Sequence, residues 1–374
     1  MGCQLSDAVP SDGPAAVLAA VGAGNVLRII GDSLSSDHYA SFVGCHLSCS
    51  AQGAVQLPCQ RDAPGGQGAP LPMFGNWTRR CNAPESIPRQ LIFNFAGSLR
   101  WDWRQAILDA GFNPRVADRT MRSWHESCGS EVPTSGCSTA VDQASQFHPN
   151  GTLIRATGTA HVDFRRVNLF PVSEQETRAL LHLLLYVGPV KLGFNDTVVM
   201  SMGLHYNSAA VLEGAMRNVL RWWAAERAAG RAPRLLWRQT SPQHFATSDG
   251  RFSSYRDLVT TRQCQANLTA AQVAANYPDY NFTRAFRSYH RWFQVLPTFA
   301  PSLDRHDEHS RLQAGSTSLS EKATGDLFRA ANESRKAVRP DCTHFCMSSS
   351  TIRFWTQAML SWIRSLREAE HHHA

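Results

Sequence analysis

The run from Thr197 to Met202, TVVMSM, is continuous, β-branched and apolar, and it ends at Gly203. A strand with one face in water alternates apolar and polar residues. A run without alternation is buried on both faces, as the strands of a parallel sheet are. Ala209 to Ala229 then reads as a long helix, ended by Gly230 and Pro233, and Arg234 to Trp237 opens the next strand. Strand, helix and strand of these lengths form a βαβ unit, which predicts an α/β fold with a mostly parallel sheet and helices on both faces. The same grammar occurs earlier. Leu27 to Ile30 is a short buried strand, followed by the turn Gly31-Asp32-Ser33 and an amphipathic helix running toward Leu47.

At 374 residues the chain can bury a large core, and we expect one catalytic domain over residues 26–370. Residues 1–25, rich in Ala and Gly, read as a flexible tail. Residues 48–149, with their Cys, Pro and Gly, read as a disulfide-tied loop insertion. Within it, Leu91 to Phe95 is a strand candidate and Asp102 to Ala110 a helix stopped by Gly111, while Asn113 to Pro149 is expected to be loop-rich. Thr152 to Thr157 and His161 to Phe164 read as strands. Ser173 with Glu176 forms a capping-box pattern for a helix reaching Tyr186. Asp304 to His309, DRHDEH, reads as a solvated loop in preference to a metal site, and Thr351 to Glu370 as a closing amphipathic helix.

Net charge is +7 and the sequence pI about 9.0. The basic residues are scattered, without the run that tracks nucleic acid, so no nucleic-acid partner is expected. The charge reads as a solvated surface that would also suit an acidic glycan. The longest apolar stretches, Ala15 to Gly24 and Ala179 to Val190, are too short to span a bilayer, and no signal peptide with a basic flank and apolar core is visible. Two features nevertheless place the chain in the secretory pathway, in the Golgi lumen or outside the cell. Six sequons, at Asn76, Asn150, Asn195, Asn267, Asn281 and Asn332, exceed the roughly two that composition would give by chance. Ten cysteines are present, and Cys45, Cys49, Cys59, Cys81, Cys128, Cys137, Cys264, Cys342 and Cys346 are disulfide candidates. Their spacings match zinc knuckles poorly, so no metal is expected. The start MGCQLS gives a second reading, with Gly2 myristoylated and Cys3 palmitoylated at the cytosolic face of a membrane. That reading would strand the six sequons in the cytosol.

Ser33 stands where a strand ends and a helix begins. Unpaired N–H groups and the positive dipole end can hold a developing oxyanion there. The bland reading of the same residues is helix capping by Asp32 and Ser33. Far downstream, PDCTHFC places Asp341 and His344 three apart before the last helix. On a loop or first helical turn, that spacing brings both side chains to one side. The Asp can fix one imidazole nitrogen while the other takes a proton from a serine. A structural Asp-His pair is the alternative. His38, beside Asp37, is a rival base on a helix that points away from the turn.

The combination resembles the SGNH, or GDSL-like, hydrolase superfamily. GDSLSSDHYASFVGCHL is similar to the opening block of the plant trichome-birefringence-like proteins and their PC-esterase relatives, and DCTHFC resembles their Asp-Cys-X-His-Trp-Cys block. DTVVMSMGLHYN resembles the strand ending in Gly-X-His-aromatic, and LLWRQTSPQHF with Cys264 resembles the Arg-X-Ser-Pro-X-His-Phe segment. Tyr206 and Phe345 stand where the family has tryptophans. The resemblance implies an SGNH-hydrolase-like (flavodoxin-like) three-layer sandwich. It further implies a triad of Ser33 as nucleophile, His344 as base and then acid, and Asp341 as orienter, with no cofactor. Gly203, His205 and Asn207 are the implied oxyanion candidates, and Arg238, Ser241 and His244 are placed near the substrate, with core packing as the alternative for that segment. The implied activity is O-acetyl transfer from an acyl donor to a polysaccharide hydroxyl, as in cell-wall glycans. A secreted carbohydrate esterase is the neighbouring reading, and a catalytically inactive glycan-binding protein is the reading from another class.

Overall fold

The computed structural model describes residues 14–40, 93–95, 103–127, 160–187, 191–206, 208–252, 263–266, 268–269, 277, 280, 286–289, 291–312, 339–345 and 349–371. In chain order its elements are α1 (Pro14–Val21), β1 (Val26–Gly31), α2 (Ser33–Ala40), β2 (Phe93–Phe95), α3 (Trp103–Asp109), α4 (Pro114–Ser127), β3 (His161–Arg166), α5 (Glu174–Tyr186), β4 (Thr197–Met200), α6 (Ala209–Ala228), β5 (Arg234–Arg238), β6 (Phe293–Leu296), β7 (His309–Leu312), β8 (Arg339–Phe345) and α7 (Ser350–His371). A central sheet runs β2-β3-β1-β4-β5-β6, and every neighbouring pair in it is parallel. β7 and β8 form a separate antiparallel hairpin.

Period-two alternation divides the core between the two faces of the sheet. Val26 and Ile30 of β1, Val198 and Met200 of β4, and Leu235 and Trp237 of β5 pack toward the layer that contains α5 and α6. Leu27, Ile29, Val199 and Leu236 face the other way, onto Val17 and Val21 of α1 and Met359, Leu360 and Ile363 of α7. Each such buried side chain contributes about 1.5–3 kcal/mol. Parallel strands enclosed on both faces are continuous apolar runs for this reason, as TVVM is.

Arg28 is an exception inside a fully buried strand. Its guanidinium donates to Leu184 O at 2.6 Å and Leu185 O at 3.3 Å, and Arg165 of β3 donates to Val187 O at 3.1 Å. Two cations thus meet the carbonyl end of α5, where its dipole is negative. Asp196 joins the beginnings of two strands by accepting from Val26 N at 2.7 Å.

Three local expectations are corrected. Residues 14–21 form a helix, where a tail was expected, because Val17, Ala20 and Val21 find an apolar partner in α7. Residues 114–127 form a helix, where a loop-rich stretch was expected. Pro114 sits in the first turn, and Asn113 Oδ1 accepts from Val116 N at 3.0 Å as its cap. The capping box at α5 is not made, since the Ser173 side chain bonds no first-turn N–H. Thr177 Oγ1 donates instead to Pro171 O at 2.7 Å, and Glu176 meets Arg119 at 3.6 Å. The strand expected at Thr152–Thr157 and the insertion over 48–92 lie outside the described residues.

Candidate active site

Chain connections leave β1 toward β2 and β4 toward β5, on opposite sides, so the topological switch lies between β1 and β4. The carboxyl ends of strands flanking such a switch open into a crevice. Gly31 ends β1 there, and α2 starts two residues later at Ser33. A Cβ on Gly31 would lie 2.6 Å from Ser201 O and 2.2 Å from Ser35 Oγ, so only glycine lets the ends of β1 and β4 approach this closely. Asp32 caps α2: its Oδ1 accepts from Leu34 N at 3.1 Å and Ser35 N at 3.4 Å. For Asp32 the capping reading therefore holds.

Ser33 is 8% exposed, and its Oγ lies 2.7 Å from His344 Nε2 across 311 residues of sequence. For Nε2 to accept the Ser33 hydroxyl proton, the neutral imidazole carries its own proton on Nδ1. Asp341 is in β8, but its side chain falls outside those described. The premise for its spacing changes. Pro340 pairs with Arg311 and Phe345 with His309, so residues 341–344 oppose a single residue of β7. Asp341 and His344 sit on a wide bulge in a hairpin, neither a free loop nor a helical turn. Bulges break regular alternation and re-aim side chains.

That bulge is held residue by residue. Cys342 is bridged to Cys264, and its carbonyl accepts from His244 N at 2.8 Å. Thr343 Oγ1 accepts from Gln243 Nε2 at 2.7 Å, and Gln243 Oε1 in turn accepts from Phe252 N at 3.2 Å. His309 Nδ1 approaches His344 O at 3.3 Å. The Phe345 ring stacks on His309 at 4.3 Å and meets the Trp355 edge at 5.6 Å. Glu308 fixes the end of the preceding turn by accepting from Thr351 N at 2.9 Å and Thr351 Oγ1 at 2.7 Å at the start of α7. A carboxylate is favoured at that dipole end.

Gly203 has φ +147, and a Cβ there would meet Thr240 Oγ1 at 2.3 Å. His205 is exposed, and Asn207 lies outside the described residues. Tyr206 is buried. Its hydroxyl donates to Phe170 O at 3.1 Å and accepts from Phe170 N at 2.8 Å, which braces the segment after β4. Burial is the first cause holding its ionisation well above the ordinary tyrosine range.

The substrate-contact expectation for Arg238, Ser241 and His244 is corrected, since all three are fully buried. Arg238 lies 4.4 Å over the Trp355 ring and donates to Ser35 Oγ at 2.9 Å. Its planar cation is used to pack and orient. His38 is also buried, edge-on to Trp355 at 5.8 Å. Burial first, and then Arg238, hold its pKa well below the ordinary value, so it is a neutral core residue and not the base. His244 is drawn down to about 4, chiefly by burial.

Sequence reasoning missed Gln243 and His309. Gln243 was visible inside SPQHF, but nothing local tied it to Thr343. His309 was placed in a solvated loop, whereas it opens β7 and is 7% exposed. Of the cysteines, Cys264 and Cys342 are shown paired, and Cys45, Cys49, Cys59, Cys81, Cys128, Cys137 and Cys346 lie outside the described residues. Asn195 is exposed, and the other five sequons lie outside as well. Among the described residues no group of His, Cys, Asp or Glu is arranged to hold a metal, and no helix is long and apolar enough to cross a membrane. No family model matches the chain, and no curated protein matches it.

Proposed function

We propose that the protein moves acyl groups through Ser33 in the manner of the SGNH-like hydrolases, most simply as an O-acetyltransferase acting on a polysaccharide hydroxyl. The carrying observation is the 2.7 Å contact between Ser33 Oγ and His344 Nε2 at the mouth of the sheet's switch point. His344 takes the Ser33 proton as Oγ attacks the acyl carbonyl, and then returns it to the leaving oxygen. The Ser33 N–H, which Asp32 does not cap, faces no acceptor within its own helix and serves as an oxyanion donor. The strand-end segment beginning at Gly203 is the second source of donors. Asp341 fixes the imidazole tautomer. The acyl group then passes to a sugar hydroxyl, or to water in the esterase reading, and exclusion of water decides between them.

Carbohydrate as acceptor, and a secretory or extracellular location, rest on the sequons, the resemblance and the Cys264–Cys342 bridge, which belongs in an oxidising compartment. The test is an acetyl-ester reporter incubated with and without a glycan acceptor. Ser33→Ala should lower acetyl release by about 10³-fold or more. Full activity in Ser33→Ala would overturn the site. Release of acetate with no acetylated acceptor would replace transferase by esterase.

A further inference from the structure

Two buried imidazoles stand in series behind the bulge that carries His344. His244 Nε2 is 2.7 Å from Leu303 O, His244 Nδ1 is 2.7 Å from His309 Nε2, and His309 Nδ1 is 3.3 Å from His344 O. Both ends of this series are carbonyl oxygens, which accept and never donate. Three contacts therefore need three protons, and two neutral imidazoles carry only two. The series closes only when the pair holds one proton more. Burial keeps His244 neutral, with a pKa near 4, so it donates from Nε2 to Leu303 O and accepts at Nδ1. The extra proton then belongs to His309, which donates from both nitrogens.

We propose that His309 is a positioning residue for His344. In its charged form it clamps the main-chain carbonyl of the base, and loss of one proton from the His244–His309 pair releases that carbonyl. The inference rests on the reading of Ser33 and His344 as the reacting pair. Its physical basis is the bulge itself. Residues 341–344 have no register partners on β7, so side-chain donors must fix what a ladder would otherwise fix.

The charges around the pair are mixed. Asp304 favours protonation of His244 and His306 opposes it. Glu308, next to His309, is committed to Thr351 and Ser350 at the start of α7 and lies 3.7 Å from Arg305. Arg238 packs over the Trp355 ring at 4.4 Å, Trp355 meets Phe345 at 5.6 Å, and Phe345 stacks on His309. From β8, the His344 ring is turned to Ser33. Asp341, on the same bulge, and Arg339, at the start of β8, are the other charges of that strand. No redox partner is needed, since the only event is transfer of a proton between His309 and solvent. Two limbs follow for activity. His344 must lose its proton to act as base, which gives a rising limb. His309 must keep its own, which gives a falling limb at higher pH.

The test combines two measurements on wild type, His309→Asn and His309→Phe. The first is the rate at which a fluorophosphonate labels Ser33 between about pH 5 and 9. The second is the ¹⁵N spectrum of the imidazoles over the same range. An asparagine amide can replace the Nδ1–H donor and does not titrate, while phenylalanine keeps the stack on Phe345 and has no donor. His309→Phe should label about 10- to 100-fold more slowly. His309→Asn should recover most of that loss and abolish the falling limb. In wild type, one imidazole should show both nitrogens protonated wherever labelling is fast. Two neutral imidazoles throughout, or a falling limb that survives in His309→Asn, would overturn the proposal. Labelling of His309→Phe at the wild-type rate would also overturn it. Failure of Ser33 to label in any variant would sink the nucleophile reading and with it the positioning role. The ¹⁵N titration would still decide whether the pair shares a proton.

Discussion

Gly31 shows how much a single residue constrains this site. Any side chain there would run into Ser201 O, a backbone atom that has no freedom to swing away. Gly31→Ala must therefore push the ends of β1 and β4 apart. We expect it to cost at least about 2 kcal/mol in denaturant unfolding and to slow labelling of Ser33 as well. The contact lies at the strand end that places Ser33 opposite His344, so stability and reactivity should fall together. Gly203 makes a similar demand at the end of β4, but there the obstacle is the Thr240 side chain.

At the scale of elements, the β7–β8 hairpin presents His344 to Ser33 and the Cys264–Cys342 bridge ties that hairpin to the 263–266 segment. Replacing both cysteines by serine should destabilise the fold by about 2–4 kcal/mol. It should slow acylation of Ser33 more than it weakens the sheet, and the check is to compare labelling rate with the unfolding midpoint. The elements divide clearly in how far they could be read from sequence. β1, β4, α5, α6 and α7 were legible because their apolar periods are strong and local. α4 was missed because its sequence has a low apolar content and its signal was the pair Asn113-Pro114. β7 and β8 were missed because a hairpin strand with a wide bulge has no period to detect, and the partners lie some way apart in the chain. The contact between Ser33 and His344 was anticipated from the motifs. The reason given for Asp341 and His344 acting together, a loop or helical turn, does not hold in a bulged strand.

At the scale of the molecule, the buried histidines set the response to acid. His244 has a folded pKa of about 4 against an ordinary value of 6.5, a shift caused first by burial. Its folded form binds the proton less readily than the unfolded chain does. Above pH 6.5 neither state is charged and nothing is lost. As pH falls from 6.5 toward 4, the unfolded state gains protons that the folded state refuses. The fold should lose on the order of 3 kcal/mol over that window on account of His244. His38, whose pKa is also lowered by burial, adds a loss of the same sign. Unfolding midpoints measured between about pH 7 and 4 should fall steeply in wild type and less in His244→Gln.

The contact between Ser33 and His344 spans 311 residues, and α1 packs against α7 at opposite ends of the described chain. During synthesis at about 5–20 residues per second, Ser33 emerges on the order of tens of seconds before His344. On the proposed reading, Ser33 therefore waits on a growing chain that does not yet hold His344. Only when β8 has been made and has folded back can Ser33 meet His344. On the proposed reading, a product stalled before His344 would not react with a serine-directed probe, and reactivity toward such a probe would report that β8 has been made and has folded against α2.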